Sequence, residues 1–123
     1  ILLIARILTA HQLNEYLQLV WSLGMDALVE VHDEEDMAKA LATPARFIGI
    51  NNRNLKYFQT TIQNTLDLLP VADRSRILIS ESGIHTLEEA KMLREAGLQA
   101  ILVGEGLSTA PDVEAMTRAM AQL

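Results

Sequence analysis

Cysteine is absent from this 123-residue chain, which excludes disulfides and thiolate chemistry and fits a reducing, cytoplasmic setting. Aromatic residues make up only 4% of it, so any core must be built from Leu, Ile, Ala and Val. Basic residues are scarce as well. Ten Lys and Arg stand against 16 Asp and Glu, a formal net charge of −6. No basic patch for nucleic acid or a membrane surface is expected, and an anionic ligand would have to be held locally by backbone N–H groups and a few cations. Long apolar runs are missing too. The run at 1–5 (ILLIA) is far too short to span a bilayer, and it lacks the basic flank and cleavage site of a signal peptide. His11, His32 and His85 have no partners at metal-ligand spacing and read as surface or capping residues. Neither a metal nor a cofactor is expected.

Half of the residues are hydrophobic, enough for one real core, and the length allows a single domain over 1–123. Five short apolar runs recur, at 1–5, 27–31, 46–50, 76–80 and 99–104. They are nearly continuous rather than alternating, which predicts parallel strands covered on both faces. Helical patterns separate them. Thr9 and Gln12 form a capping-box pair before a helix ending near Gly24, and Thr86 and Glu89 form a second before a helix closing at Gly97. Asp33 caps an acid-led helix, 62–69 is a weaker helix stopped by Pro70, and Pro111 opens a last helix over 111–122. Trp21, four and eight residues beyond Leu17 and Leu13, predicts helix-to-sheet packing. Met25, Met37, Met92, Met116 and Met120 read as core filler. Alternating strands and helices make βα units with a parallel sheet. Five of them fit either an open doubly wound sheet or part of an eight-unit barrel.

In both architectures ligands meet the carboxyl ends of the strands. There the sequence places Glu30, then Asn51 and Arg53, then Glu81-Ser82-Gly83, then Gly104-Glu105-Gly106. The opposite ends, near Asp26, Pro44, Arg74 and Gln99, read as solvated turns. Glu30 lies between two valines, where an unpaired carboxylate is costly and its pKa is driven up. It is either a structural carboxylate paired to a cation of a neighbouring strand or a working acid/base group, and Glu81 carries the same ambiguity. Ser82-Gly83 and Gly104-Glu105-Gly106 are either tight turns or loops whose amides cradle phosphate, as at the last two strands of many barrels.

At LVEVHDEED, FIGINNRNL, SESGIHTLEEA and LVGEGL the chain resembles indole-3-glycerol phosphate synthase, the (β/α)8 enzyme of tryptophan biosynthesis. The four motifs stand in family order and run the whole length. The resemblance implies a TIM barrel of which this chain supplies about five C-terminal βα units, from strand four to helix eight. It also implies a carboxy-lyase that closes a ring on 1-(2-carboxyphenylamino)-1-deoxyribulose 5-phosphate, losing carbon dioxide and water. By matching motif it implies catalytic roles for Glu30, Asn51, Glu81 and Ser82. Arg53 would lie near the substrate carboxylate, and Leu2 and Ile4 against its aromatic ring. Ser82, Gly83, Gly104, Glu105 and Gly106 would hold its phosphate, while Asn52 and Asn54 would shape the loop.

The family's upstream glutamate and its two lysines, including the principal general acid, have no counterpart here. Lys39 and Lys91 fall on helices and Lys56 in a loop. The expected partner is therefore the missing N-terminal half of the barrel, without which no more than trace turnover is expected. The alternative is a non-catalytic half-barrel that binds phosphate or associates with itself to cover its open edges.

Overall fold

The computed structural model describes residues 1–53 and 60–123; Asn54 and Lys56 lie outside the described residues. The strands are β1 (Leu2–Ile4), β2 (Leu28–Val31), β3 (Phe47–Asn51), β4 (Ile77–Glu81) and β5 (Ala100–Leu102). The helices are α1 (Ala10–Ser22), α2 (Glu34–Leu41), α3 (Gln63–Leu68), α4 (Leu87–Glu95), α5 (Glu105–Ser108) and α6 (Val113–Ala121). Both predicted capping boxes form, at Thr9/Gln12 and Thr86/Glu89, and Asp33 caps α2 by accepting from Asp36 N–H. Pro70 does not stop the chain dead after α3 but sits in a 3-10 turn over Leu69–Val71. The last helix starts two residues later than Pro111 suggests, because the Asp112 side chain caps it through Ala115 N–H.

All five strands are parallel, in the order β1-β2-β3-β4-β5. That order resolves the choice between the two architectures. A doubly wound sheet reverses direction from its first strand and so carries helices on both faces. Here each crossover steps to the next strand in the same direction, and crossovers of the usual right hand then put their helices on one face. The result is an arc of five consecutive βα units of a (β/α)8 barrel.

Register separates the two faces. Leu3, Val29, Ile48 and Leu78 form one row and Val31, Ile50 and Ser80 the next. These meet Leu13, Leu17, Met37 and Leu93 from the helices in one buried core, each buried Leu or Ile contributing about 1.5–3 kcal/mol. Coverage on both faces, as the continuous runs suggest, is not what forms. On the other face Leu2, Leu28, Phe47 and Ile77 make a lower row, and Ile4, Glu30, Gly49, Ile79 and Ala100 a middle one. Asn51, Glu81 and Leu102 make the upper row. Leu2, Ile77 and Leu102 on this face are exposed.

Of the methionines only Met37 is fully buried; Met25 and Met92 are exposed, because they lie in the turn between α1 and β2 and on the outer side of α4. Trp21 packs against the core and is capped by the Arg46 guanidinium 5.1 Å from its ring centre. Among the described residues no helix is long and apolar enough to cross a membrane.

Candidate active site

Glu30 and Glu81 come together on the open face, from the middle of β2 and the end of β4. The strand between them makes this possible. Gly49 of β3 is opposite Glu30 in register, and a Cβ built on it would overlap the Glu81 carboxylate and lie 2.7 Å from its Cδ. The absence of a side chain at 49 is therefore what gives the Glu81 carboxylate its seat. Glu30 is 9% exposed and Glu81 only 3%. Burial, then the neighbouring Glu30 charge and a hydrogen bond shared with Glu30, raise the Glu81 carboxyl from 4.5 to about 7. Two carboxylates in contact cannot both ionise cheaply, so at neutral pH the pair holds and exchanges a proton. The buried Glu81 Oε1 has no hydrogen-bond partner among the described residues.

Among the described residues no arginine or lysine of a neighbouring strand pairs with Glu30. The group beside it is His32, whose Nε2 lies 3.3 Å from Glu30 Oε1 and whose Nδ1 lies 3.4 Å from Asp36 Oδ2. His32 thus departs from the surface reading. It follows Glu30 by two residues, and its ring is inserted between β2 and the first turn of α2. His11 and His85 do lie at the surface, and His85 N–H joins the Glu89 cap.

The amides after β3 divide the work. Asn51 stands beside Glu81 in register, and its Oδ1 accepts from Arg53 N–H at 2.9 Å, turning the chain. Asn52 does more than shape a loop. It is 1% exposed, donates to Ser80 Oγ and to Ser82 O, and accepts from Thr65 N–H and Thr65 Oγ1. Thr65 and Ser80 hydroxyls also bond each other at 2.7 Å. Asn64 donates to the carbonyls of His32 and Asn51. The first turn of α3 is thereby tied to the ends of β2, β3 and β4. No local signal marks these residues, because their partners lie 13–32 positions away. Gly49 gave no signal either, since glycine in a strand has many causes.

Ser82 and Gly83 both take positive φ, 66° and 67°, and a Cβ on Gly83 would press against Thr60. A non-glycine residue in this region costs roughly 1–3 kcal/mol, here offset by the Asn52 grip on the Ser82 carbonyl. Across from them, a Cβ on Gly106 would overlap the Ile84 carbonyl, so the start of α5 lies directly on the loop after β4. Ser82, Gly83, Gly104, Glu105 and Gly106 line one cavity of about 390 Å³, and Arg53 joins them. Gly104 supplies no side-chain cap to α5. The arrangement can take a small anion between loop amides and one guanidinium.

Ile4 lies next to Glu30 in register, and Leu2 one row lower, 51% exposed. Neither reaches the cavity. Lys39 spends its ammonium on the Ala5 and Leu8 carbonyls, and Lys91 is exposed on α4, so neither enters the carboxyl pair. Among the described residues no group of His, Asp and Glu is arranged to hold a metal ion.

A family model described as indole-3-glycerol phosphate synthase matches residues 1–120. An indole-3-glycerol phosphate synthase of Lachnoclostridium phytofermentans is 44% identical over 123 residues, covering 100% of this chain and 45% of that protein. One of Bordetella pertussis is 47% identical over 112 residues, covering 91% and 43%. The chain thus spans less than half the length of these relatives and matches their C-terminal part. Among solved structures, 3-hexulose-6-phosphate synthase from Salmonella typhimurium superposes with a TM-score of 0.78 at 14% identity, over 98% of this chain and 59% of that one. That likeness speaks for the fold alone.

Proposed function

Since the chain belongs to the indole-3-glycerol phosphate synthase family, we propose that it carries the Glu30–Glu81 acid/base pair and the phosphate cradle of such an enzyme. The observation that carries the reading is the buried pair itself, with Glu81 held near neutrality. Ring closure of 1-(2-carboxyphenylamino)-1-deoxyribulose 5-phosphate at its carbonyl needs a proton donor. Carbon dioxide then leaves, and dehydration needs a proton acceptor as well as a donor for the departing hydroxyl. Glu30, beside a Glu81 whose carboxyl burial pushes up to about 7, is the acceptor; Glu81 exchanges the proton with it. Asn51, next to Glu81, and Ser82 hold the reacting centre. Arg53 faces an anionic group, either the substrate carboxylate or, from its place in the cavity wall, the phosphate. Ser82, Gly83, Gly104, Glu105 and Gly106 receive the phosphate, Glu105 through its backbone. Ile4, with Leu2 beneath it, offers an apolar surface to the aromatic ring.

The chemistry asks for a strong general acid that the described residues do not supply. The chain alone is accordingly proposed to turn over no faster than a trace, and its partner is the N-terminal half of the barrel, meeting it along β1 and β5. A cytoplasmic location is proposed, with no nucleic-acid or membrane partner. The exposed apolar rows on the open face favour one second reading, self-association into a non-catalytic phosphate-binding half-barrel.

Indole-product fluorescence separates the two. The chain is assayed alone, mixed with the N-terminal segment of a family member, and mixed as the Glu30→Gln variant. Activity only in the mixture, abolished by the substitution, is the expected result. A folded chain that stays silent in every sample, and that sediments as a dimer, would transfer the case to the second reading.

A further inference from the structure

His32 is bracketed by carboxylates on both ring nitrogens, a placement that none of the roles given to Glu30 and Glu81 requires. Its ring is nearly buried, with Glu30 Oε1 at 3.3 Å on one side and Asp36 Oδ2 at 3.4 Å on the other. Asp36 is itself fixed. It accepts the His32 backbone N–H at 3.0 Å and lies 3.6 Å from Arg6 Nε, while Arg6 also pairs with Asp33 at 2.9 Å. From α3, Asn64 holds the His32 carbonyl. Among the described residues the titratable and charged groups around the ring are Glu30 on β2 with Glu81 behind it, Asp33 and Asp36 on the α2 side, and Arg6 in the turn after β1. An imidazolium between two carboxylates donates from both nitrogens; a neutral ring donates from one and accepts at the other.

We propose that His32 is a positioning residue for the Glu30 carboxylate, the centre of a Glu30–His32–Asp36 relay that orients Glu30 towards Glu81 and takes the pair's proton to the partly exposed imidazole. This rests on the acid/base reading of Glu30 and Glu81. A proton taken up by Glu30 passes to His32 Nε2, leaving Glu30 as carboxylate and His32 as imidazolium, which the Asp36 charge stabilises. Release of that proton to water restores the neutral ring. No electron transfer or co-reactant is involved.

The test reads the ring directly. The chain is labelled with 15N-histidine and the His32 nitrogens are titrated by NMR in the wild type, Glu30→Gln and Asp36→Asn. Each substitution removes one carboxylate charge beside the ring and is expected to lower the His32 midpoint relative to wild type. In His32→Gln, the 13Cδ signals are expected to show Glu30 taking a larger share of the pair's proton and Glu81 a smaller one. A His32 midpoint unmoved by Glu30→Gln, in a protein whose amide spectrum is otherwise retained, would overturn the proposal. If His32→Gln fails to fold, the Glu30→Gln titration still decides. Where the assembled enzyme turns over, His32→Gln is expected to shift the pH profile and lower kcat with little change in KM. Absence of synthase activity in every sample would sink the parent reading yet leave the titrations free to uphold or refute the relay.

Discussion

On the helix side of the sheet Val29, Ile48, Ile50 and Leu78 are completely buried, and every one is aliphatic. On the other side Leu2 and Leu102 are 51% and 56% exposed, while two glutamates between them are buried almost as deeply as the core. The inversion follows from topology. Crossovers that always step in one direction stack the helices on one face and leave the other to face inward in a barrel. On the helix side burial is the stabilising force and the residues match it. On the inner side burial falls where it is unfavourable, on charge, and the protein meets that cost by keeping a proton on Glu81. Stability therefore resides on one face and reactivity on the other.

That division can be attacked from the stable side first. Ile50→Ala is expected to cost roughly 2–5 kcal/mol in urea unfolding while leaving the Glu81 titration where it was. A large shift in that titration would mean the faces are not independent. Asn52→Ala removes the amide that joins Thr65, Ser80 and Ser82; an unfolding loss of about 3 kcal/mol is expected from the donors and acceptors left buried and unpaired. The Ser82 and Gly83 amide resonances should move with it. Gly49→Ala forces the Glu81 carboxylate from its seat. Overpacking of about 2 kcal/mol is expected, together with a Glu81 midpoint falling back towards 4.5 as the carboxyl reaches water. Midpoint and stability both unchanged would show that the glycine is incidental.

Glu81→Gln sharpens the comparison through pH. Because the folded-state value of about 7 lies above the ordinary 4.5, the native protein binds more protons than the unfolded chain between those limits. The contribution of this group is complete below about pH 4.5 and is lost as pH rises through 7. The glutamine variant cannot lose it. Its stability relative to wild type should grow by roughly 2–2.5 kcal/mol between pH 5 and pH 8, measured by urea unfolding at both. A constant difference would contradict the shifted carboxyl. Smallest of all, Leu2→Ser on the open face should change stability by no more than about 0.5 kcal/mol.

Much of this was legible in the sequence, for identifiable reasons. Strand and helix positions follow from short-range signals: apolar runs, capping pairs at Thr9/Gln12 and Thr86/Glu89, an acid-led first turn after Asp33. The site end of the sheet was readable because polar and glycine residues cluster there. What escaped depends on partners distant in the chain. Gly49 matters only because Glu81, 32 residues on, lies over it. Asn52 becomes a hub through Thr65 and Ser80, and His32 changes from a capping residue to a buried link because Asp36 and Glu30 close on it from two elements. The one-sided coverage was also hidden, since a strand facing a barrel interior and a strand facing a second helical layer carry the same apolar run.

The central claim is that Glu30 and Glu81 act as one buried proton-sharing pair. It is tested most directly by following the Glu81 13Cδ resonance through a pH titration of the wild type and of Glu30→Gln. The account predicts a wild-type midpoint near 7, falling in Glu30→Gln yet staying above 4.5, because burial persists when the neighbouring charge is gone. A Glu81 that titrates near 4.5 in both proteins would contradict it.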